Sequence, residues 1–290
     1  MEIVDRSRQT AQGAAPESGT LAARVPQNIG RHLLGAMLAI LGALMVANHG
    51  FSQSWQLVPD DMPGRTLLAV LLGAWLLFAG LGLQLQRFAR AAGLMAAGAL
   101  LVGFFTFIPL IPARGLTYSP WLHLSEQAIM AIGAFLVAAQ VGAGWERAGP
   151  RFLRLACIGL GLCELALAFT HLAALKDTAS LVPAWLPPGQ RTWAILTGIF
   201  HFAAAIALIS GERALLAARA LVVMFAGFSL LVWGPIVFAD PGNWQMLAVA
   251  ALSWAMTGAV WILADALAQE SDARRATSSP APGARPSSDW

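Results

Sequence analysis

Charge is scarce in this 290-residue chain. Asp, Glu, Lys and Arg together make up 11% of it, against roughly 25% in soluble domains. Hydrophobic residues make up 58% and the mean hydropathy is +0.66, more apolar surface than one water-soluble core can hide. The chain therefore reads as an integral membrane protein with the lipid bilayer as its main partner. Cysteine is nearly absent. Cys157 and Cys163 stand on different faces of one helical run, which excludes a CxxC redox pair and a disulfide and leaves a small-residue packing role. Walker A, strand-borne GxGxxG and HExxH motifs are missing, so nucleotide hydrolysis, dinucleotide binding and zinc proteolysis have no support. The basic residues form no clustered face, which excludes a nucleic-acid surface. The first 30 residues lack an apolar h-region and do not read as a secretory signal.

What the sequence does have is long apolar runs, each near the roughly 20 residues that a helix needs to cross a bilayer. Eight are expected, at about 32–50, 66–86, 91–112, 123–144, 152–172, 192–210, 214–238 and 245–267. The fold expected is an all-α integral membrane protein with short connections and antiparallel neighbours. Fourteen of the eighteen Lys and Arg residues, among them Arg87, Arg90, Arg147, Arg151, Arg154 and Arg213, fall on one side of that scheme; Arg65, Arg114, Lys176 and Arg191 fall on the other. Basic residues near helix ends stay on the cytoplasmic side, which predicts an inner (plasma) membrane protein with both termini cytoplasmic. Residues 1–30 and 269–290 are too polar to pack and read as disordered cytoplasmic tails.

The two halves echo one another. "MVANHGF" and "LVPDDMPGRTLLAVLLGAWLLFAGLGL" align with "LAFTHLAA" and "LVPAWLPPGQRTWAILTGIFHFAAAIALI". His49 falls on His171, Pro59 and Pro63 on Pro183 and Pro187, and Gly73 on Gly198, with the slippage confined to loops. The expectation is two tandem four-helix units, 31–146 and 147–268, entering the membrane the same way up.

The second half, from "FTHLAALKDTASLVPAWLPPGQRTWAILTGIFHF" to "LSWAMTGAVWILA", resembles the DoxX-like family of small four-helix membrane proteins, in which an "H...VPAWLP...TG..H" pattern is common. The resemblance covers about 152–267; the first half is a diverged copy that keeps His49, the "VP...P" loop and a glycine-rich second helix. It implies quinone-linked oxidation of sulfur compounds or thiol redox at the membrane. Since the chain has no intrinsic cofactor signature and no metal site, the redox centre would be borrowed from a quinone or a redox partner subunit.

The ionisable residues inside the runs are the candidate chemistry, because a charge at the bilayer centre costs at least about 2.5 kcal/mol and therefore faces the bundle interior and pairs. Glu164 and His171 share a face of the fifth span, about 10 Å apart along the axis, and His201 lies about 13 Å along the sixth span from its outer end. Glu164 and His201 are thus expected at one depth as a proton-sharing pair, the catalytic candidates; the alternative is a hydrogen bond that only ties two helices. In the first half their places fall to Gly42 and Leu76, so one unit holds the site and the other is scaffold. Glu126, three residues from His123 near the outer surface, His171, Thr197 and Trp185 are further candidate ligand-binding residues. His49 and His171 match in depth, but His201 is expected too deep to join His171, and both are read as interfacial caps. Trp55, Trp121, Trp185, Trp193 and Trp244 form an outer aromatic belt, Trp145 and Trp261 an inner one. Trp185, on the proline-stiffened "VPAWLPPG" loop, is the expected lid of an apolar site. Two functions remain: a membrane subunit of a quinone-linked oxidoreductase, or a non-enzymatic scaffold, assembly partner or carrier of a small apolar molecule.

Overall fold

In a computed structural model the described residues are 29–53, 55–107, 117–141 and 145–278. The tails through residue 28 and from residue 279, the loop holding Arg114, and the side chains of Trp145 and Arg147 lie outside them. Among the described residues there is no strand.

The helices are α1 (Ile29–Ala47), α2 (Arg65–Gln84), α3 (Ala89–Phe107), α4 (Tyr118–Gln140), α5 (Trp145–Ala173), α6 (Leu175–Leu181), α7 (Gln190–Ser210), α8 (Ala214–Phe228), α9 (Gly234–Ala239) and α10 (Trp244–Ser278). A 3-10 turn, Gln86–Phe88, leads into α3, and a π-helical segment, Ser229–Trp233, joins α8 to α9. Among the described residues eight spans are long and apolar enough to cross a membrane, as expected for a multi-pass membrane protein. The continuous run from α8 through α9 forms one of them, and the short α6 is not among them.

Several boundaries differ from expectation: α4 begins at Tyr118 and α5 at Trp145, ahead of the expected 123 and 152. α1 ends at Ala47, so His49 falls in a turn with φ 50°. α10 continues to Ser278 instead of yielding to a disordered tail at 269, because "ADALAQESDARRA" is rich in helix formers and extending an existing helix costs little; Arg274 adds a 3.0 Å bond to Glu270 one turn back.

Small residues set the packing. A Cβ on Gly42 would lie 2.3 Å from the Gly73 carbonyl oxygen, and one on Gly80 would lie 2.4 Å from the Ala39 nitrogen, so α1 and α2 touch backbone to backbone, the close approach that membrane helices use in place of a hydrophobic drive. Gly258 does the same for α10 on α1, facing the Leu34 nitrogen. Round the bundle, α1, α2, α3 and α4 follow one another as neighbours, and so do α5, α7, α8 and α10. α1 against α10 and α4 against α5 join the two series, and α4 also packs on α10.

Candidate functional site

The expected acid and base meet. Glu164, on the face of α5 turned to α7, is 0% exposed and His201 is 1% exposed; His201 Nδ1 lies 2.6 Å from Glu164 Oε2. Glu164 Oε1 is buried with no hydrogen-bond partner. A short contact between a carboxyl oxygen and an imidazole nitrogen holds one proton between the two, and an unmatched carboxyl oxygen beside it is costly in a dry interior.

His171 corrects the sequence reading. It was expected above the reach of His201 as an interfacial cap, yet the two ring centroids are 4.9 Å apart. The reason is the register of the helix pair: Gly198 of α7 faces His171, where a Cβ would stand 3.1 Å from the His171 Cβ. That contact puts His201 one turn beyond the level of His171. Its sequence match, His49, is exposed in its turn, so the paired histidines have different surroundings.

The two rings are held alike. His171 Nδ1 lies 3.0 Å from the Leu167 carbonyl oxygen; a carbonyl only accepts, so the proton is on Nδ1 and neutral His171 keeps Nε2 as an acceptor. Nδ1 of His201 is committed to Glu164, which likewise leaves Nε2 as that ring's free polar atom.

Both histidines line a cavity of about 180 Å³. Its walls are mainly apolar, with Leu167, Phe225, Phe228, Leu252 and Met256 among them, and its polar groups are few, among them Thr170, His171, Thr197, His201, Ser253 and Glu126. Glu164 does not line it and reaches it only through His201. The Thr197 hydroxyl donates to the Trp193 carbonyl at 2.9 Å and Thr170 to that of Ala166 at 3.0 Å, so both keep oxygen lone pairs for a donor.

The cover is not Trp185. That side chain is 69% exposed and does not touch the cavity. Thr178 and Leu181 of α6, with Val182, line it instead. The loop turns Trp185 outward while Gln190 Nε2 donates to the Val182 carbonyl at 2.6 Å and Trp193 Nε1 to that of Pro187 at 2.9 Å. The apolar side of α6 is what packs down.

Glu126 reaches the cavity from α4. Its Oε2 lies 3.0 Å from His123 Nδ1, while the neighbouring Ser125 hydroxyl donates to the Trp121 carbonyl at 2.8 Å. A second acid–imidazole pair therefore borders the same space.

Sequence reasoning missed the wall formed by the π segment. Val232 and Trp233 line the cavity there, beside Phe228 at the end of α8. Pro235, just beyond, lacks an N–H and would clash with the Leu231 carbonyl in a regular α-helix; the wider turn relieves that clash. Ser229 donates to the Phe225 carbonyl at 2.9 Å and lies 2.8 Å from the Ser253 hydroxyl. With the Ser229 proton so placed, Ser253 is the donor in their contact and offers the cavity an acceptor oxygen. Pro235 within a span, and lone serines in the apolar runs "AGFSLLVW" and "AALSWAM", were the available signals.

The arrangement can take a small, mostly apolar molecule with one or two polar atoms, and pass a proton to or from it at an imidazole backed by a carboxyl group. Among the described residues no group of three or more His, Cys, Asp or Glu is placed to hold a metal ion. No protein-family profile, characterised protein or solved structure matches the chain.

Proposed function

We propose that this protein is a DoxX-like inner-membrane subunit of a quinone-linked oxidoreductase system, and that its cavity receives the quinone head group. The observation that carries the reading is an apolar cavity bordered by His201, which is itself bonded to the buried Glu164. An empty cavity of 150 Å³ accommodates benzene; about 180 Å³ here is room for a six-membered ring with carbonyl oxygens. The helix neighbours support the tandem reading: the chain order α1, α2, α3, α4 is repeated by α5, α7, α8, α10, and the contacts α1 on α10 and α5 on α4 are equivalent under an exchange of units. With basic residues retained inside, both termini are cytoplasmic and α6 covers the cavity on the outer face.

Reduction of a quinone to a quinol takes two electrons, which a partner subunit supplies, and two protons. His201, protonated at Nε2, donates to a carbonyl oxygen while its Nδ1 takes the proton of Glu164; before the second transfer Nε2 takes up a proton from the aqueous phase as Nδ1 returns its own to Glu164. His171 Nε2 accepts from the hydroxyl so formed. The glycine at the equivalent level of the first unit, Gly42, has no room for a side chain, which makes that unit scaffold. The test is extraction in mild detergent and quinone analysis of the purified protein. Bound quinone, or a raised unfolding midpoint with added quinone, is expected. Neither result in the wild type would leave the chain a scaffold, or a carrier of some other apolar molecule.

A further inference from the structure

At the opposite end of the bundle from α6 lies a second, polar pocket of about 300 Å³ between α1, α4 and α10. Arg31, Gln86, Gln140, Asp265 and Gln269 supply its polar lining. Arg31 is only 8% exposed, an unusual place for a guanidinium. Its Nη1 donates to Gln86 Oε1, and its Nη2 lies 3.3 Å from His32 Nε2. His32 Nδ1 lies 2.9 Å from Gln84 Oε1; an amide oxygen only accepts, so the proton is on Nδ1 and Nε2 is the acceptor for Arg31. Every group that holds the guanidinium is therefore neutral, and its Nε is buried with no partner.

Asp265 lines the same pocket and makes no ion pair with Arg31. The Trp261 indole and the Arg219 charge lie near its carboxylate, and neither lines the pocket. A cation and an anion thus face one space without meeting. The helix ends reinforce the split. Arg31 is in the first turn of α1, where the helix dipole favours an anion, and Gln140 is the last residue of α4, where it favours a cation.

We infer that this pocket binds a small zwitterion, an oxyanion held by Arg31 and Gln86 and an ammonium held by Asp265, Gln269 and the C-terminal end of α4. A lone anion is disfavoured by Asp265 and a lone cation by Arg31. Phosphoethanolamine has this chemistry, either as a lipid head group at the membrane face or as a free solute. The site is independent of the cavity beside His201.

The test uses the full chain in detergent with phosphoethanolamine, inorganic phosphate and ethanolamine as separate probes in calorimetric titration, and nanodiscs of phosphatidylethanolamine or phosphatidylglycerol followed by native mass spectrometry. The wild type is expected to bind phosphoethanolamine at least tenfold more tightly than phosphate or ethanolamine, or to retain phosphatidylethanolamine over phosphatidylglycerol by a similar margin; the first result marks a free solute, the second a lipid. Arg31→Gln and Asp265→Asn should each cut that binding tenfold or more, as expected for loss of one charge-assisted contact, with helix content by circular dichroism confirming that they fold. The inference is overturned if the wild type favours no zwitterion in either arm. It is equally overturned if phosphate alone binds as well as phosphoethanolamine, or if Asp265→Asn leaves the preference intact.

Discussion

Glu164 Oε2 and His201 Nδ1 stand 2.6 Å apart at the contact of α5 and α7, both side chains shut off from solvent. Removing the acid leaves the imidazole without its partner. Glu164→Leu should destabilise the protein by about 1–3 kcal/mol, the cost of an unmatched buried polar group, whereas Glu164→Gln keeps a hydrogen-bonding partner for Nδ1 and should cost under about 1 kcal/mol. Unfolding midpoints in detergent check this; equal losses for the two variants would mean that the hydrogen bond contributes nothing.

The α1–α2 contact makes a steric prediction. Gly42→Ala forces a Cβ to within 2.3 Å of a backbone oxygen and should cost about 1–3 kcal/mol as overpacking. Gly227→Ala in α8 meets nothing within 4 Å and should be neutral or mildly stabilising. The same unfolding measurement separates them, and a tolerated Gly42→Ala would show that α1 and α2 are not so closely packed.

The cavity cover is testable by contrast. Thr178→Phe places a ring where Thr178 lines the cavity and should weaken ligand binding tenfold or more. Trp185→Ala, outside it, should change binding less than twofold. Titration with a short-tailed quinone gives both numbers; the reverse order would restore Trp185 as the lid.

Sidedness follows from charge alone and is checked separately. Reporter fusions at Arg114 and Asp240 are expected to read as external, and those at Arg87 and Gly149 as internal; one inverted result among the four would break the scheme.

The sequence was a good guide where one physical cost dominates. Twenty apolar residues in a row have few alternatives to a membrane helix, so all eight spans could be placed, and a carboxylate among them must find a partner, which is why Glu164 and His201 could be paired. Helix register was harder to read. His171 was separated from His201 by counting from loop ends, while their actual level depends on which residue of α7 is small enough to sit against α5, and that residue is Gly198. The π turn depends on one proline, Pro235, acting through the carbonyl of another residue, and the inward side of α6 depends on how its loop folds back. Neither leaves a periodic trace. Arg31 reads in sequence as one more basic residue at a helix end; its burial appears only once α4 and α10 close over it.

The central claim is that His201, backed by Glu164, hydrogen-bonds a carbonyl oxygen in the cavity. The most direct measurement is the infrared carbonyl stretch of an isotope-labelled short-tailed quinone bound to the purified protein, compared with the His201→Ala variant. The account predicts saturable binding with one carbonyl band shifted to lower frequency in the wild type, and loss of that shift in His201→Ala. No binding, or the same carbonyl band in both proteins, would contradict it.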